Sequence, residues 1–244
     1  MRGKLIVFEG GEGCGKTTQL QRLYGWLVQS ESWQCLLSKN QVAGVKMTRE
    51  PGGTLLGKQL RQLLLNESAN ELADKLTDEL SPPAETPTPI ASRAELLLYA
   101  ADRAQHVEET LLPWLETGYW VLCDRYTDST VAYQGYGRQL DLSLITTLNQ
   151  IATKGLSSDL TLWLNVPPKV GLARMRSRGQ ADRIEQASMA FHQRVSEGFA
   201  ALAKESAMTV SVAGDRPIEE VAMSIQQVLQ VRLRQWYPEW LSAL

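Results

Sequence analysis

Residues 10–17 read Gly-Gly-Glu-Gly-Cys-Gly-Lys-Thr, and that octapeptide leaves the chain around it little freedom. The pattern is G-x-x-x-x-G-K-[ST]. Its glycines let successive backbone N–H groups converge on one anion, and a helix starting directly after them aims the positive end of its dipole at the same point. Such a loop works only where a strand leads in and a helix leads out, so a chance glycine-rich turn would lack those flanks. Here both are present. Leu5–Phe8 is a short apolar run ending at Glu9 and glycine, as a buried parallel strand does. From Thr17 to Gln29, Leu20, Leu23, Tyr24 and Leu27 recur at helical spacing. The loop residues Gly10, Gly11, Glu12, Gly13, Cys14 and Gly15, with Lys16, Thr17 and Thr18, are therefore expected to bind ATP. Lys16 reaches the β- and γ-phosphates, and the Thr17 hydroxyl serves Mg2+.

The same alternation continues along the chain. Val45–Thr48, Trp120–Cys123, Leu160–Leu164 and Met208–Val212 read as further strands. Helical spacing covers Leu55–Leu65, Arg93–Glu116 and Asp182–Lys204, and a last helix begins near Pro217, a favourable first-turn residue. Strands alternating with helices predict an α/β fold, a five-stranded parallel sheet flanked by helices, in a single domain over residues 1–244. Residues 66–91 stand apart. Pro82, Pro83, Pro87 and Pro89 each remove a backbone donor, so the stretch reads as a surface insertion, either a tolerated loop or a partner contact.

Composition narrows the function classes. A formal net charge of −2 disfavours a polymeric nucleic acid as partner. No apolar run approaches a membrane span, and the N-terminal one ends too soon for a signal peptide, so the expected compartment is cytoplasmic. Three cysteines and two histidines, scattered, give neither a disulfide framework nor a metal cluster. Cys35 and Cys123 read as small core residues and His106 as a satisfied helix histidine. Cys14 is either a small filler or a thiol acidified by the helix N-terminus.

Four more clusters carry chemistry. Arg49-Glu50-Pro51-Gly52-Gly53-Thr54 follows the second strand and suits a second anion site. Tyr99 and Arg103, four apart, share a helix face, where a ring can stack on a base while a guanidinium bonds its edge. Asp124-Arg125-Tyr126 ends the third strand and leads into Ser129-Thr130-Val131-Ala132-Tyr133-Gln134-Gly135. Arg174, Arg176, Arg178 and Arg183 crowd around Gly179.

Together these blocks resemble the thymidylate kinases, the family that phosphorylates dTMP to dTDP, and the likeness runs from Met1 to about Glu185. The resemblance implies the nucleoside monophosphate kinase fold with a mobile lid at residues 174–184, and a homodimer packed through the helix at Arg93–Glu116. It also implies roles for matching positions. Glu12 meets the sugar 3′-hydroxyl of dTMP. Arg49 and Arg125 bind its phosphate, Tyr99 stacks on thymine, and Arg103 contacts a thymine carbonyl. Thr130 bonds the base edge, Tyr133 crowds the sugar 2′ position, and Asp124 is the acid on the Mg2+ side with Thr17. Some relatives carry a catalytic arginine in the phosphate loop and others in the lid. This loop has Gly13 there, so the catalytic set implied is Lys16, Arg125, Asp124 and the lid residue Arg178, with Arg183 as second choice.

Two features depart from the family pattern: Asn165, where relatives often have Asp, and the long 66–91 insertion. Two rival readings exist. One is another nucleotide or deoxynucleoside kinase, for dGMP, dCMP or thymidine; a nucleoside acceptor would need a carboxylate base for its 5′-hydroxyl, for which Glu9 is placed in sequence. A guanine switch would need an Asn-Lys-x-Asp base reader, and none is evident.

Overall fold

The structure is a computed structural model and describes residues 2–65, 89–176 and 182–241. The five apolar runs form five parallel strands: β1 (Leu5–Glu9), β2 (Gly44–Arg49), β3 (Tyr119–Asp124), β4 (Leu160–Asn165) and β5 (Thr209–Ala213). Their order is β2-β3-β1-β4-β5. Helices fill the connections: α1 (Lys16–Gln29), α2 (Glu31–Ser38), α3 (Leu55–Leu65), α4 (Ser92–His106), α5 (Leu112–Glu116), α6 (Thr127–Thr130), α7 (Leu142–Thr153), α8 (Pro168–Arg176), α9 (Met189–Glu205), α10 (Ile218–Trp236) and α11 (Pro238–Leu241).

β1 is buried throughout and runs apolar from Leu5 to Phe8 because helices cover both faces of the sheet. Its even residues Ile6 and Phe8 pack with Leu20, Leu27, Leu229 and Leu233 from α1 and α10. Its odd residues Leu5 and Val7 pack with Val107, Leu111 and Leu115 on the other face. Each such fully buried aliphatic side chain is worth about 1.5–3 kcal/mol. A third cluster joins Tyr133 to Ile184, Phe191, Val195 and Phe199, which docks α9 against the segment after β3.

Register sets where chemistry sits. Arg49 pairs with Asp124 across β2 and β3, and Phe8 pairs with Asp124 across β1 and β3. The glycine loop, Asp124 and Arg49 therefore leave the sheet at one level. β1 lies between β3 and β4, so the chain departs to opposite sides there and opens a crevice at the strand ends.

All five expected strands and the α/β class are observed. Two helix expectations need correction. The Asp182–Lys204 stretch is helical only from Met189; Asp182 Oδ1 accepts from the N–H groups of Ile184 and Glu185, both at 2.9 Å, making a tight turn instead. The Arg93–Glu116 helix widens to a π-turn at Val107–Leu111. Pro113 has no N–H to offer and its ring crowds the preceding turn. The 66–91 insertion lies outside the described residues except for 89–91. Among the described residues no helix is long and apolar enough to cross a membrane.

Candidate active site

A cleft of about 250 Å3 opens at the crevice, lined by the glycine loop on one side and by residues of α3, α4 and the segment after β3 on the other. The loop delivers Lys16 into α1, whose N-cap is Gly15. Lys16 Nζ donates to the carbonyls of Gly10 and Gly11, each at 3.0 Å, which holds its ammonium inside the loop's cup. Thr17 Oγ1 donates to Asp124 Oδ2 at 2.7 Å. The two expected Mg2+ residues thus meet, one from α1 and one from the end of β3. Cys14 is buried within the loop, 3.4 Å from Lys16 Nζ, which fits the filler reading.

Gly13 explains why this loop has no arginine at that position. Its φ is 68°, in the left-handed region, and a Cβ there would collide with the backbone carbonyl of Gly171 in α8. A Cβ on Gly171 would in turn collide with the Glu12 carbonyl. Loop and helix touch backbone to backbone.

The side of the cleft expected to take the acceptor is built around Arg125. Arg125 Nη2 donates to Glu12 Oε1 at 2.6 Å and to the Tyr133 hydroxyl at 3.1 Å; Nη1 donates to the Gly10 carbonyl at 3.0 Å and to Ser129 Oγ at 3.1 Å. Tyr133 donates to Glu12 Oε1 at 2.6 Å. Burial works against the Glu12 charge, but Arg125 and then Lys16 outweigh it and hold the carboxyl at about 2. Glu12 and Tyr133, expected at the sugar, and Arg125, expected at the phosphate, form one contact group. Arg49 is exposed and lines the cleft.

A third cation joins them. Arg61, on α3, also lines the cleft. Its pKa is lowered first by burial and then by the charges of Arg49 and Arg125. Arg61 therefore lies near enough to both Arg49 and Arg125 to be repelled by them, and the three guanidiniums line one cleft that suits an anion. Sequence reading missed Arg61 because its contribution appears only when α3 folds back over the Gly52 turn; its Nη1 donates to the Pro51 carbonyl at 3.1 Å.

Tyr99 is half-buried in the cleft wall and not in the core, as stacking requires. Arg103 lies beneath it, only 2% exposed. It donates to Glu50 Oε2 at 2.8 Å, Thr130 Oγ1 at 2.8 Å, Asn149 Oδ1 at 2.7 Å and the Tyr126 carbonyl at 2.9 Å. Guanidinium has five N–H groups, so one remains for a ligand. Arg103 and Thr130 both line the cleft and are joined by one of those four bonds. Glu50 also accepts from His106 Nδ1 at 2.8 Å, and Thr48 Oγ1 lies 2.7 Å from the other ring nitrogen, so His106 is satisfied as expected.

Glu9 corrects a rival reading. It is fully buried and accepts from Tyr126 N at 2.8 Å, Ser129 N at 3.1 Å and Ser129 Oγ at 2.6 Å. Burial and then the Asp128 charge push its carboxyl up. It braces the Asp124–Ser129 turn from behind and does not line the cleft, so it is not placed to take an acceptor's proton. Asn165 is exposed at the end of β4 and also lies outside the cleft lining.

The segment expected to form a lid, residues 174–184, is described only at 174–176 and 182–184. Arg178 lies outside the described residues. Arg174 donates to the Gly214 carbonyl at 3.0 Å. Arg183 pairs with Glu95 and donates to the Leu64 carbonyl at 2.9 Å, so its charge is engaged away from the glycine loop.

The family model for thymidylate kinase matches residues 8–225. The chain belongs to the thymidylate kinase family. Among curated thymidylate kinases, that of Cyanothece sp. (strain PCC 7425 / ATCC 29141) is 53% identical, with 98% of each chain covered. The thymidylate kinase of Acaryochloris marina is 51% identical, covering 98% of this chain and 100% of its own. That of Nostoc punctiforme is 50% identical over 96% and 99%. The matched residues include both the glycine loop and the segment after β3 that line the cleft.

Proposed function

We propose that this chain transfers the γ-phosphate of ATP to dTMP, giving dTDP for dTTP biosynthesis. One observation carries the reading: a phosphate-binding loop and a pocket of three guanidiniums share one cleft, with the Thr17–Asp124 pair between them. An acceptor without a phosphate would have no use for Arg49, Arg61 and Arg125. Family membership supports the same substrate.

Phosphoryl transfer asks the protein mainly for alignment and charge. The loop amides and Lys16 hold the donor phosphates. Arg49, Arg61 and Arg125 hold the acceptor phosphate with one oxygen toward the γ-phosphorus. Tyr99 stacks on the base, and Tyr133 and Glu12 close around the sugar. Arg178 brings charge to the γ-oxygens from the lid, an effect worth about 10³–10⁵ in rate. The donor set fits Mg2+: one hydroxyl and one carboxylate, both hard oxygen ligands, with remaining positions for phosphate oxygens and water. When bound it offsets charge on the β- and γ-phosphates. A homodimer through α4 fits the exposed Leu97 on that helix.

A coupled ADP-release assay across dTMP, dUMP, dCMP, dGMP and thymidine tests the proposal. Saturable release with dTMP is the expected result. Equal or better turnover with thymidine, or no acceptor-dependent release at all, overturns it.

A further inference from the structure

Glu95 is a fully buried carboxylate beside the cleft that the mechanism above does not use. It sits one helical turn before Tyr99 on α4. Its Oε1 accepts from Gln134 Nε2 at 2.8 Å and Arg138 Nε at 3.2 Å. Its Oε2 accepts from Arg138 Nη2 at 3.1 Å and from Arg183 Nη2. Burial alone would raise its pKa; the hydrogen bonds from Arg138 and Gln134, with the two arginine charges, bring it below the usual carboxylate range.

An ionised carboxylate can only accept. Gln134 must therefore turn its NH2 toward Glu95, which sends its Oε1 the opposite way. Gln134 lines the cleft and is 2% exposed. Among the described residues no donor reaches that Oε1, and it is not among the buried atoms left without a partner. The amide thus shows the cleft a carbonyl oxygen.

We propose that Glu95 is a positioning residue for base selection, fixing the Gln134 amide so that an acceptor faces the pyrimidine edge. The inference rests on the dTMP reading above. Thymine and uracil carry a hydrogen on N3 and can donate to that oxygen. Cytosine has a lone pair on N3 and is repelled. Arg138 and Arg183 matter because they keep Glu95 charged; a neutral group at 95 could accept or donate, and Gln134 would then be free to turn over.

The test uses Glu95→Gln, Gln134→Met and the double variant in the full chain. KM and kcat are measured separately for ATP, dTMP and dCMP, with melting temperatures alongside. Each single variant is expected to raise the dTMP KM by at least about tenfold and to lower the dTMP-over-dCMP preference by a similar factor, with ATP KM unchanged. The double variant should be no worse than Gln134→Met alone, because both changes remove the same interaction. Should Glu95→Gln not fold, Glu95→Gln with Arg138→Gln, which removes a stranded cation, is measured in its place. Unchanged dTMP KM and base preference, ATP and dTMP KM rising together, or additive effects each overturn the proposal. Wild-type enzyme inactive with dTMP is the separate failure of the functional reading.

Discussion

Replacing Arg61 by Met should separate stability from function. Burial first, and then the Arg49 and Arg125 charges, lower the Arg61 pKa from the usual arginine value, so its cation works against folding while it lines the cleft. Methionine keeps most of the stem that lies against Gly52 and removes the charge. It also removes the hydrogen bond to the Pro51 carbonyl, worth about 1 kcal/mol, which offsets the relief of repulsion. Net stability should then shift by no more than about 1 kcal/mol in either direction. Acceptor binding should lose one charge-assisted contact, about 1.5–3 kcal/mol, or about 10- to 150-fold in dTMP KM. ATP KM should stay where it is, since the glycine loop is untouched. The assay is coupled ADP release with dTMP and ATP varied in turn, beside a thermal melt. A dTMP KM within error of wild type would refute the three-arginine pocket. A parallel rise in ATP KM would mean that the substitution had deformed the whole cleft.

Arg178→Ala should lower turnover by at least about 10²-fold with modest change in ATP KM; near-normal turnover would move the catalytic charge elsewhere. For Tyr99, Ala should raise dTMP KM by about tenfold or more and Phe should leave it near wild type, because stacking needs only the ring; equal effects would assign the role to the hydroxyl. Glu12 predicts a pH effect. Its folded-state pKa of about 2 lies below the ordinary 4.5. The stability it adds, about 3 kcal/mol, is therefore fully present above about pH 4.5 and is lost as pH falls toward 2. Denaturant melts at about pH 6 and about pH 3 should converge in Glu12→Gln relative to wild type; parallel losses in both proteins would contradict the paired carboxylate.

Sheet strands were legible where burial on both faces leaves an uninterrupted apolar run, as in Leu5–Phe8 of β1 and Trp120–Cys123 of β3. The glycine loop was legible because its backbone demands fix residue type at fixed spacing. Helix ends were less so. The turn at Asp182 depends on a side chain bonding its own backbone, and apolar spacing runs across it unchanged. The acceptor site divides in the same way. Arg49, Tyr99 and Arg125 stand at strand ends or on one helix face, where position alone suggests a role. Arg61, Glu50, Glu95 and Asn149 acquire theirs from such contacts as those 46, 53 and 88 residues away or from α3 folding over a turn. No local pattern records such a meeting. For Arg103 and Thr130, resemblance carries a residue's place across but not the number of its hydrogen bonds already taken.

The bare contact between Gly13 and Gly171 has a consequence for anyone wishing to move the catalytic cation into the phosphate loop. No graded route exists. Alanine meets the same wall as arginine, because the obstacle is the first carbon beyond the backbone and not the reach of the chain. A library varied at that one codon should return only the parent, and productive transplants would need α8 to be rebuilt a step farther out at the same time.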